Sequence, residues 1–580
     1  MTAVHAEPDR EAPTQAPTGA TRHLCTGVYV DEKFRDLVIN EICTTPYRRV
    51  APSYGFDHVP VMRHAWWATH LHALLRLTML ASVVTPFLLG HTVASALTAG
   101  GITLLMLLDL AIVLSTTIAR TEDPLTPRRR NGKRKPTLRI PPARDLRIMR
   151  EVRTLKRVGL AALAVGGTMT ALALAFPAQA VVAGYAGAAV LGVAVFVGVV
   201  GQLRVNRVHA PGAGLRPRRL TKREAVVAEQ QEHPCVVYRR PAHRGKEESE
   251  GSPLFTLFGD ESPFVGAGEL IHQWNPPMGV QLLRPGGDTQ PLHEREHRHP
   301  PFRTDELVDH LREAVLQLRD DEEDVRLPVE VRDRVFVASS DLSTDRSLIR
   351  RVDKARMRRL MNEQSPTHHH FLEVSVPDAD SELVATVLLH ATLRGRTLNL
   401  FFAACALTRT PDSFRKAEEF GQHGKRAVAW AAFRALRGLP RETTDLWRVV
   451  RYPVLLAKAL FMYRRELTLS PIRNVCIGSR LSIRQERAQE WSKVQLDKTQ
   501  VLSHIKNVEL RLLKATSDFL HSRGVDISEF DDRAMQIINS GIVNLGGTND
   551  ISNNNLGDGT QINNHGPQQG PGPSQNGDQA

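Results

Sequence analysis

The chain of 580 residues is poor in cysteine, and its cysteines lie far apart. None of them forms a C-x-x-C pair, and their number is odd. The five are Cys25, Cys43, Cys235, Cys405 and Cys476. This spacing argues against a disulfide framework and against a structural zinc site. We therefore expect reduced thiols, as in a protein that faces the cytosol.

Charge is missing from two long stretches. Residues 77–118 contain a single acid, Asp109, and residues 158–201 contain no Asp, Glu, Lys or Arg. Each stretch is about twice the ~20 apolar residues that cross a bilayer as a helix. Each therefore predicts a transmembrane hairpin.

The turns of the two hairpins are marked by residues that favour bends. We expect the first turn near Thr98–Gly101, with Gly90–His91 as the alternative, and the second at Phe176–Gln179. The second hairpin is rich in Gly and Ala, which let helix backbones approach closely in lipid. The four spans are therefore predicted to form a compact bundle.

Basic residues flank these stretches and predict their orientation. The net charge is +13, and residues 120–157 alone contain fourteen Arg or Lys and four Asp or Glu. Lys and Arg near span ends mark the cytoplasmic side. We expect a multi-pass protein of the plasma (inner) membrane with both termini cytoplasmic and with contacts to anionic lipid head groups. The basic residues lack interleaved aromatics, so no nucleic-acid partner is predicted.

The fold class predicted from these patterns is an α-helical four-span membrane bundle of two hairpins, followed by a mixed α+β cytoplasmic domain, a long C-terminal helix and a disordered repeat-bearing tail. The expected regions are 1–70 (N-terminal cytoplasmic), 71–119 (first hairpin), 120–157 (basic loop), 158–201 (second hairpin), 202–302 (Pro/Gly-rich), 303–480 (α+β domain), 481–540 (long helix) and 541–580 (tail).

Period-two and helical patterns place several elements. Val28–Ile42 suggests a strand that runs into an amphipathic helix. Leu383–Leu393 and Thr397–Leu407 flank a three-residue turn with Gly395 and predict a β-hairpin. Because both faces of that hairpin are apolar, we expect a sheet covered on each side. Leu446–Tyr463 mixes apolar and basic residues, and we favour a buried helix over one lying on the membrane surface.

Residues 484–523 carry the longest regular pattern of the soluble part. Their apolar residues alternate three and four apart, as in an a/d heptad seam, and Gly524 stands where a helix C-terminal glycine is expected. The seam consists of Trp491, Val494, Val501, Ile505, Val508, Leu512, Ala515 and Phe519. Two structures fit this pattern: an oligomerising coiled coil, or a long helix packed inside its own domain.

One segment formally matches a zinc-peptidase motif. Residues 293–297 read HEREH, in which His293 and His297 would bind the metal and Glu294 would act as the base. That chemistry needs a rigid helix, whereas Pro291 and the prolines after His299 leave room for two turns at most. We therefore favour a solvated charged loop.

Asp109 is the one acid within the apolar stretches, near the middle of the second predicted span. An ionisable group at that depth is a functional candidate by default. It could relay protons or bind a cation within the bundle. A protonated Asp109 that hydrogen-bonds Thr168 or Thr170 would be purely structural.

The tail contains a tandem repeat. Residues 544–554 read NLGGTNDISNN and residues 555–565 read NLGDGTQINNH, so Asn, Leu, Gly and Ile recur at a spacing of eleven. Asn-rich rungs of this kind can stack with their apolar residues interdigitated. Self-association would use Val543, Leu545, Ile551, Leu556 and Ile562. The alternative is a flexible Gly/Asn-rich terminus in which the repeat occurs by chance.

Motifs for cofactor chemistry are missing. Residues 264–268 (FVGAG) lack the third glycine and the following helix of a dinucleotide site. No Ser/His/Asp or Cys/His constellation stands out. We therefore predict no cofactor and no small-molecule substrate, and leave enzymatic activity open with a non-enzyme favoured.

Four motifs carry a resemblance to known proteins. They are PFVGAG (Pro263–Gly268), RDRVFV (Arg332–Val337), RGRTLNLFF (Arg394–Phe402) and RGVDISEFDDRA (Arg523–Ala534). Residues 20–545 with these motifs resemble an uncharacterised family of actinobacterial multi-pass membrane proteins, which implies a location but no reaction. The tail, with Val543-Asn544-Leu545-Gly546, resembles the amyloid-type signalling motifs of filamentous bacteria and implies pairing with a like motif.

Three functions are consistent with these features. The first is a membrane-anchored cytoplasmic scaffold or signalling protein that acts through self-association. The second is a small ion or proton transporter or channel centred on Asp109. The third, which the HEREH context disfavours, is a metal-dependent hydrolase.

Overall fold

The computed structural model describes residues 17–45, 48–121, 143–212, 214–238, 263–286, 290–320, 326–339, 341–343, 346–349, 352–415, 424–461, 478–479, 481–494 and 496–540. The helices in these ranges are α1 Gly19–Val30, α2 Glu32–Val38, α3 His58–Leu88, α4 Thr92–Thr121, α5 Ala143–Ala175, α6 Pro177–Val208, α7 Lys222–Glu232, α8 Leu292–Arg295, α9 Thr304–Leu316, α10 Lys354–Asn362, α11 Gly424–Thr444, α12 Arg451–Phe461, α13 Leu496–Ser522 and α14 Ser528–Ser540. The strands are β1 Cys235–Tyr238, β2 Glu269–Gln273, β3 Met278–Gln281, β4 Glu330–Ala338, β5 His368–Asp378, β6 Leu383–Arg394 and β7 Thr397–Leu407.

The two uncharged stretches lie within four long helices, α3 to α6, each long and apolar enough to cross a membrane. The second turn is where it was predicted, since α5 ends at Ala175 and Pro177 begins α6. The first turn lies at Leu89–His91, so the alternative position Gly90–His91 is confirmed and the favoured position Thr98–Gly101 was wrong. Those residues lie inside α4, where Gly100 lets the helix approach Met169 of α5 closely.

Before the first long helix, the amino-terminal part contains helices and no strand among its described residues. The expected strand at Val28 is therefore wrong, because α1 continues to Val30 and α2 begins at Glu32. Asp31 caps α2 by accepting hydrogen bonds from two backbone amides of its first turn. The apolar stripe was predicted correctly, since Phe34, Val38 and Ile42 are buried in a core with the first turns of α3 and with α7.

One sheet organises the rest of the molecule, with the strand order β1-β4-β5-β6-β7-β2 and with β3 also paired to β7. β1 runs parallel to β4, and the other neighbours are antiparallel. The predicted hairpin is confirmed, as Arg394 pairs with Thr397 across the turn. β1 to β3 come from residues 202–302, so the sheet crosses the predicted domain boundary at 302.

Both faces of the sheet are covered, as the two-sided apolar pattern predicted. One face packs against α9, α10, α13 and α14 in the largest core of the molecule. The other face packs around Phe264, Phe336 and Phe371, whose rings meet edge to face, together with Tyr54. Buried apolar residues on both faces stabilise the sheet by the hydrophobic effect.

The heptad seam belongs to the core of its own domain. Val501, Ile505 and Val508 are fully buried against the sheet, so this face of α13 is not free to pair with a second chain. The helix begins at Leu496, twelve residues later than predicted, because Gln485–Arg487 and Trp491–Lys493 form separate 3₁₀ turns. Of the two alternatives, the intradomain helix is the one that the structure contains.

Residues 446–461 differ from the favoured prediction. They form a 3₁₀ turn, Leu446–Val450, followed by α12, and none of their described side chains is buried. Trp447 and Val450 are 59% and 74% exposed. The expected buried helix is therefore wrong, and this segment is a surface element with apolar side chains directed outward.

Candidate functional site

A cluster of charged residues joins the long apolar helices to the rest of the chain. Its centre is Arg76, which lies in α3 among apolar residues and is only 6% exposed. His72 precedes it by four residues and therefore lies on the same face of the helix. An ionisable pair on an otherwise apolar helix must find partners, because an unpaired buried charge is costly.

Arg76 finds two carboxylates from distant parts of the chain. Its Nη2 donates to Glu32 Oε1 at 2.8 Å, and its Nε donates to Glu442 Oε2 at 2.9 Å. The other oxygen of Glu442 lies 2.8 Å from His72 Nδ1. Glu32 is the first residue of α2 and Glu442 lies near the end of α11, so Arg76 connects three helices.

The same carboxylate of Glu32 serves further arginines. Its Oε1 also accepts hydrogen bonds from Arg35 at 3.1 Å and from Arg448 at 2.8 Å. Arg448 in turn reaches Asp36 at 2.9 Å and Asp445 at 3.1 Å. We call this cluster the junction network; it consists of Glu32, Arg35, Asp36, His72, Arg76, Glu442, Asp445 and Arg448.

The network favours the ionised form of two of its carboxylates, Glu32 and Glu442. Burial by itself would raise the pKa of Glu442, but the hydrogen bond from His72 and the charge of Arg76 lower it to about 2. Burial opposes ionisation at Glu32 as well, and the arginines around it, led by Arg76, hold the pKa of Glu32 below its usual value. At neutral pH, Glu32 and Glu442 are therefore ionised and paired with the groups around them.

A small cleft opens beside the network. It is lined by Arg35, His72, Arg76, Arg448 and Tyr452, among others, and has a volume of about 60 Å³. Organic ligands usually occupy pockets of about 300–1,000 Å³. The cleft is thus large enough for water and too small for a metabolite, and the chemistry of this site is structural pairing of charges.

Asp109 lies close to the junction network. The Thr444 hydroxyl, two residues from Glu442, donates to Asp109 Oδ2 at 3.3 Å. The predicted partners are wrong, since Thr168 and Thr170 donate to carbonyl oxygens of their own helix. α4 begins at Thr92 and places Asp109 roughly 26 Å along the helix, at 1.5 Å per residue, so this acid is past the middle of the span. A role for Asp109 in ion or proton transfer stays a prediction.

The HEREH segment does not have the geometry of a zinc site. Helix α8 ends at Arg295, and Glu296 is extended, so His293 and His297 do not share a helix face. His293 and Glu294 are largely exposed. Arg295 instead pairs with Asp526, and Glu296 pairs with Arg396, which ties this loop to the sheet and to the segment before α14. No group of three potential metal ligands occurs among the described residues.

The predicted self-association residues lie outside the described residues. They are Val543, Leu545, Ile551, Leu556 and Ile562. The described chain ends at Ser540, the last residue of α14, whose Ile537 and Ile538 pack against the main core.

Sequence reasoning missed the junction network. Arg76 directly precedes the uncharged stretch 77–118, where a basic residue indicates topology, and its acidic partners give no local signal. The available hint was the spacing of His72 and Arg76, which places two ionisable groups on one face of an apolar helix. The identity of their partners could not follow from it, because Glu442 is 366 residues away along the chain.

Comparison with known families gives a match, which covers part of the sheet domain. Residues 273–552 match the family model described as an AbeC-like domain. This match indicates an uncharacterised family and does not extend to the four apolar helices. It gives no information on an actinobacterial origin or an amyloid-type tail, so both stay predictions. Neither the curated proteins nor the solved structures provide a match to the chain.

Proposed function

We propose that this protein is a membrane-anchored cytoplasmic scaffold or signalling protein that acts through self-association. The anchor would be the four helices α3 to α6. Their outward faces are apolar: Leu160, Leu163 and Leu174 of α5 are 72% to 79% exposed. Apolar patches of this extent are unfavourable in water and suit a lipid environment.

The observation that carries the proposal is the junction network. It ties the first apolar helix to α2 and α11 through paired charges. A second set of contacts ties the amino-terminal helices to the sheet: His23 Nδ1 lies 2.7 Å from Glu382 Oε1, and Arg487 pairs with Asp31 at 3.3 Å. The sheet domain would thus be held at a defined position against the membrane, as a scaffold requires.

The orientation of this scaffold follows from charge. The basic clusters adjoin the ends of α4, α5 and α6 that lie away from the two short turns. By the positive-inside preference, these ends and the sheet domain would be cytoplasmic. Anionic head groups of the inner leaflet would then be neighbours of the basic clusters.

Anchoring is tested by extraction. We expect the full chain to remain with the membrane pellet in alkaline carbonate, because four apolar helices hold it by burial in lipid. Release into the supernatant would contradict the anchor. Retention through the described helices also predicts that a chain lacking residues 541–580 pellets equally well.

Self-association is tested on the tail. We expect deletion of residues 541–580 to abolish self-assembly measured by co-precipitation of two differently tagged copies. A matched variant keeps the length and charge of the tail and replaces the apolar repeat positions, Val543, Leu545, Ile551, Leu556 and Ile562, by serine; it should behave like the deletion. Undiminished co-precipitation in both variants would reject self-association through the tail.

A further inference from the structure

Residues 424–461 form a helical hairpin that packs on the apolar helices. It consists of α11, the 3₁₀ turn Leu446–Val450 and α12. α11 approaches α6 so closely that a Cβ atom on Gly198 would lie 2.7 Å from Ala435 Cβ and 2.8 Å from the Ala431 carbonyl oxygen. Small residues at a helix crossing are typical of contacts within a lipid bilayer.

The hairpin reaches a depth that overlaps the hydrocarbon layer. Leu439 belongs to one buried cluster with Met79 of α3 and Val190 of α6. Met79 precedes the end of α3 by nine residues and Val190 follows the start of α6 by thirteen, so these contacts lie roughly 14 and 20 Å from the distal ends of the helices. A hydrocarbon core is ~30 Å thick. The tip of the hairpin must therefore lie within it if α3 and α6 span it.

The exposed side of the segment carries large apolar side chains among basic ones. Trp430 and Phe433 of α11 are each 53% exposed, and Val450 and Leu460 are 74% and 65% exposed. Trp447, at the turn, is also exposed, and the guanidinium groups of Arg448 and Arg451 lie 5.9 and 5.7 Å from its ring. Exposed tryptophan beside arginine is the composition of an interfacial membrane element.

The charge of the hairpin is strongly basic. Residues 424–461 contain eight Lys or Arg and two acids, a net charge of +6. Both acids, Glu442 and Asp445, are already paired in the junction network. The basic residues of the hairpin include three with exposed side chains, Lys425, Arg437 and Arg441. Long basic side chains can cover apolar surface with their stems while their charged ends reach anionic groups.

We propose that residues 424–461 are a lipid-binding hairpin that inserts its exposed aromatic and aliphatic side chains into the cytoplasmic leaflet and binds anionic head groups with the basic residues at the start of α11, Lys425 and Arg426. This inference rests on the proposed membrane anchoring and adds a fifth membrane contact to the four spans. The hairpin would hold Glu442 and Thr444 against α3 and α4 at the depth of Arg76 and Asp109, and shield those charges from lipid.

The test uses the full chain in proteoliposomes with an environment-sensitive fluorophore on single cysteines. Cys476 is replaced by serine, and the other four cysteines are buried. The probe positions are Phe433→Cys and Val450→Cys. Leu163→Cys on α5 reports the span, and Met535→Cys, 61% exposed on α14 of the sheet domain, is the control for exposure outside the membrane.

Spin-labelled lipid should quench the emission at positions 433, 450 and 163 and leave position 535 bright. Quenching at 163 without quenching at 433 and 450 would overturn the hairpin inference while the anchor stands. No quenching at 163 would instead refute the anchor. Protection of 433 and 450 from both lipid and aqueous quenchers would mean that a protein, such as a second copy, covers this face, and would also overturn the inference.

Head-group binding by the basic residues is tested by comparing quenching in vesicles with and without anionic lipid. In vesicles with anionic lipid, quenching at 433 should exceed that in zwitterionic vesicles. The double variant Lys425→Gln/Arg426→Gln, at the start of α11, should lose this difference. The matched control Arg358→Gln/Arg359→Gln, on the exposed face of α10, should keep it. A difference that survives in the first variant would contradict head-group binding by these two basic residues.

Discussion

The guanidinium group of Arg76 binds two carboxylates, Glu32 and Glu442, which lie far apart in the chain. Breaking such a pair removes more than one contact, because Glu32 and Glu442 would then be buried without their main partner. Removing one member of a buried ion pair typically costs about 3–5 kcal/mol, whereas an exposed pair contributes about 0–1 kcal/mol. This contrast makes Arg76 the residue on which the junction depends.

We therefore expect Arg76→Met to lower the stability of the purified protein by about 3–5 kcal/mol. The measurement is the unfolding transition in detergent. Arg358→Met is the matched control, because Arg358 is largely exposed and lies 3.5 Å from Asp309; its effect should stay below about 1 kcal/mol. Equal transitions for both variants would mean that the network does not hold the helices together.

Acidity should weaken the same network. The pKa of Glu442 in the folded protein is about 2, below its ordinary value of 4.5. A lowered pKa gives stability that is fully present above about pH 4.5 and is lost as the pH falls towards 2. Glu382, held by His23 and Thr410, also has a pKa of about 2 and adds to the effect.

We expect the unfolding midpoint of the parent protein to fall between pH 5 and pH 3. The unfolding midpoint of Glu442→Gln should be lower at pH 5 and should fall less steeply with acidity. Of the two carboxylates, Glu442 and Glu382, only Glu382 still titrates in this variant. The measurement is a series of thermal unfolding curves across this pH range. The same slope for parent and variant would argue that Glu442 is not the titrating group.

At the scale of elements, α13 shows how one pattern can serve two structures. A period of three and four residues predicts an apolar stripe, and that prediction is confirmed. The stripe of a coiled coil and that of a helix packed on a sheet look alike in sequence. What distinguishes them is the surface that covers the stripe, and here it is the sheet of the same domain.

Ile505→Ala should therefore destabilise the domain and leave the oligomeric state unchanged. Ile505 is fully buried, and truncation of a buried Ile to Ala costs about 2–5 kcal/mol. Leu510→Ala, on the same helix and 37% exposed, is the control and should cost far less. Unfolding curves and light scattering of each variant provide the comparison. Dissociation of an oligomer by Ile505→Ala, with little change in stability, would favour the coiled coil.

At the scale of the whole molecule, the long helices separate the sheet domain from the two short turns. α3 has 31 residues and is roughly 46 Å long at 1.5 Å per residue. Its first turn adjoins Gln231 and the sheet domain, and its last turn leads to the exposed loop at Leu89. A membrane around α3 to α6 would thus have the sheet domain on one side and the two short turns on the other.

This arrangement predicts opposite sides for two cysteines. In intact cells, an impermeant maleimide should label Leu89→Cys and should label Met535→Cys only after the membrane is opened. Both variants carry Cys476→Ser, and both positions are well exposed. Labelling of Met535→Cys in sealed cells would contradict the proposed orientation.

Much of this architecture could be predicted from local sequence. Long uncharged stretches lead to long apolar helices, and the β6–β7 hairpin follows from alternating residues around Gly395. These features depend on neighbours in the chain, so short-range patterns are sufficient. The strand expected at Val28 failed because Asp31 caps a helix there, and the buried helix expected at Leu446 failed because the pattern does not say which surface covers it.

The sequence by itself determined which segments are apolar, which are basic, and which residues share the face of a helix or strand. Only the tertiary structure decided that Arg76 pairs with Glu32 and Glu442, that α13 lies on its own sheet, and that α11 packs on α6. The physical reason is that periodicity describes one surface of an element, whereas a contact needs two surfaces. The second surface can come from hundreds of residues away, as Glu442 does for Arg76.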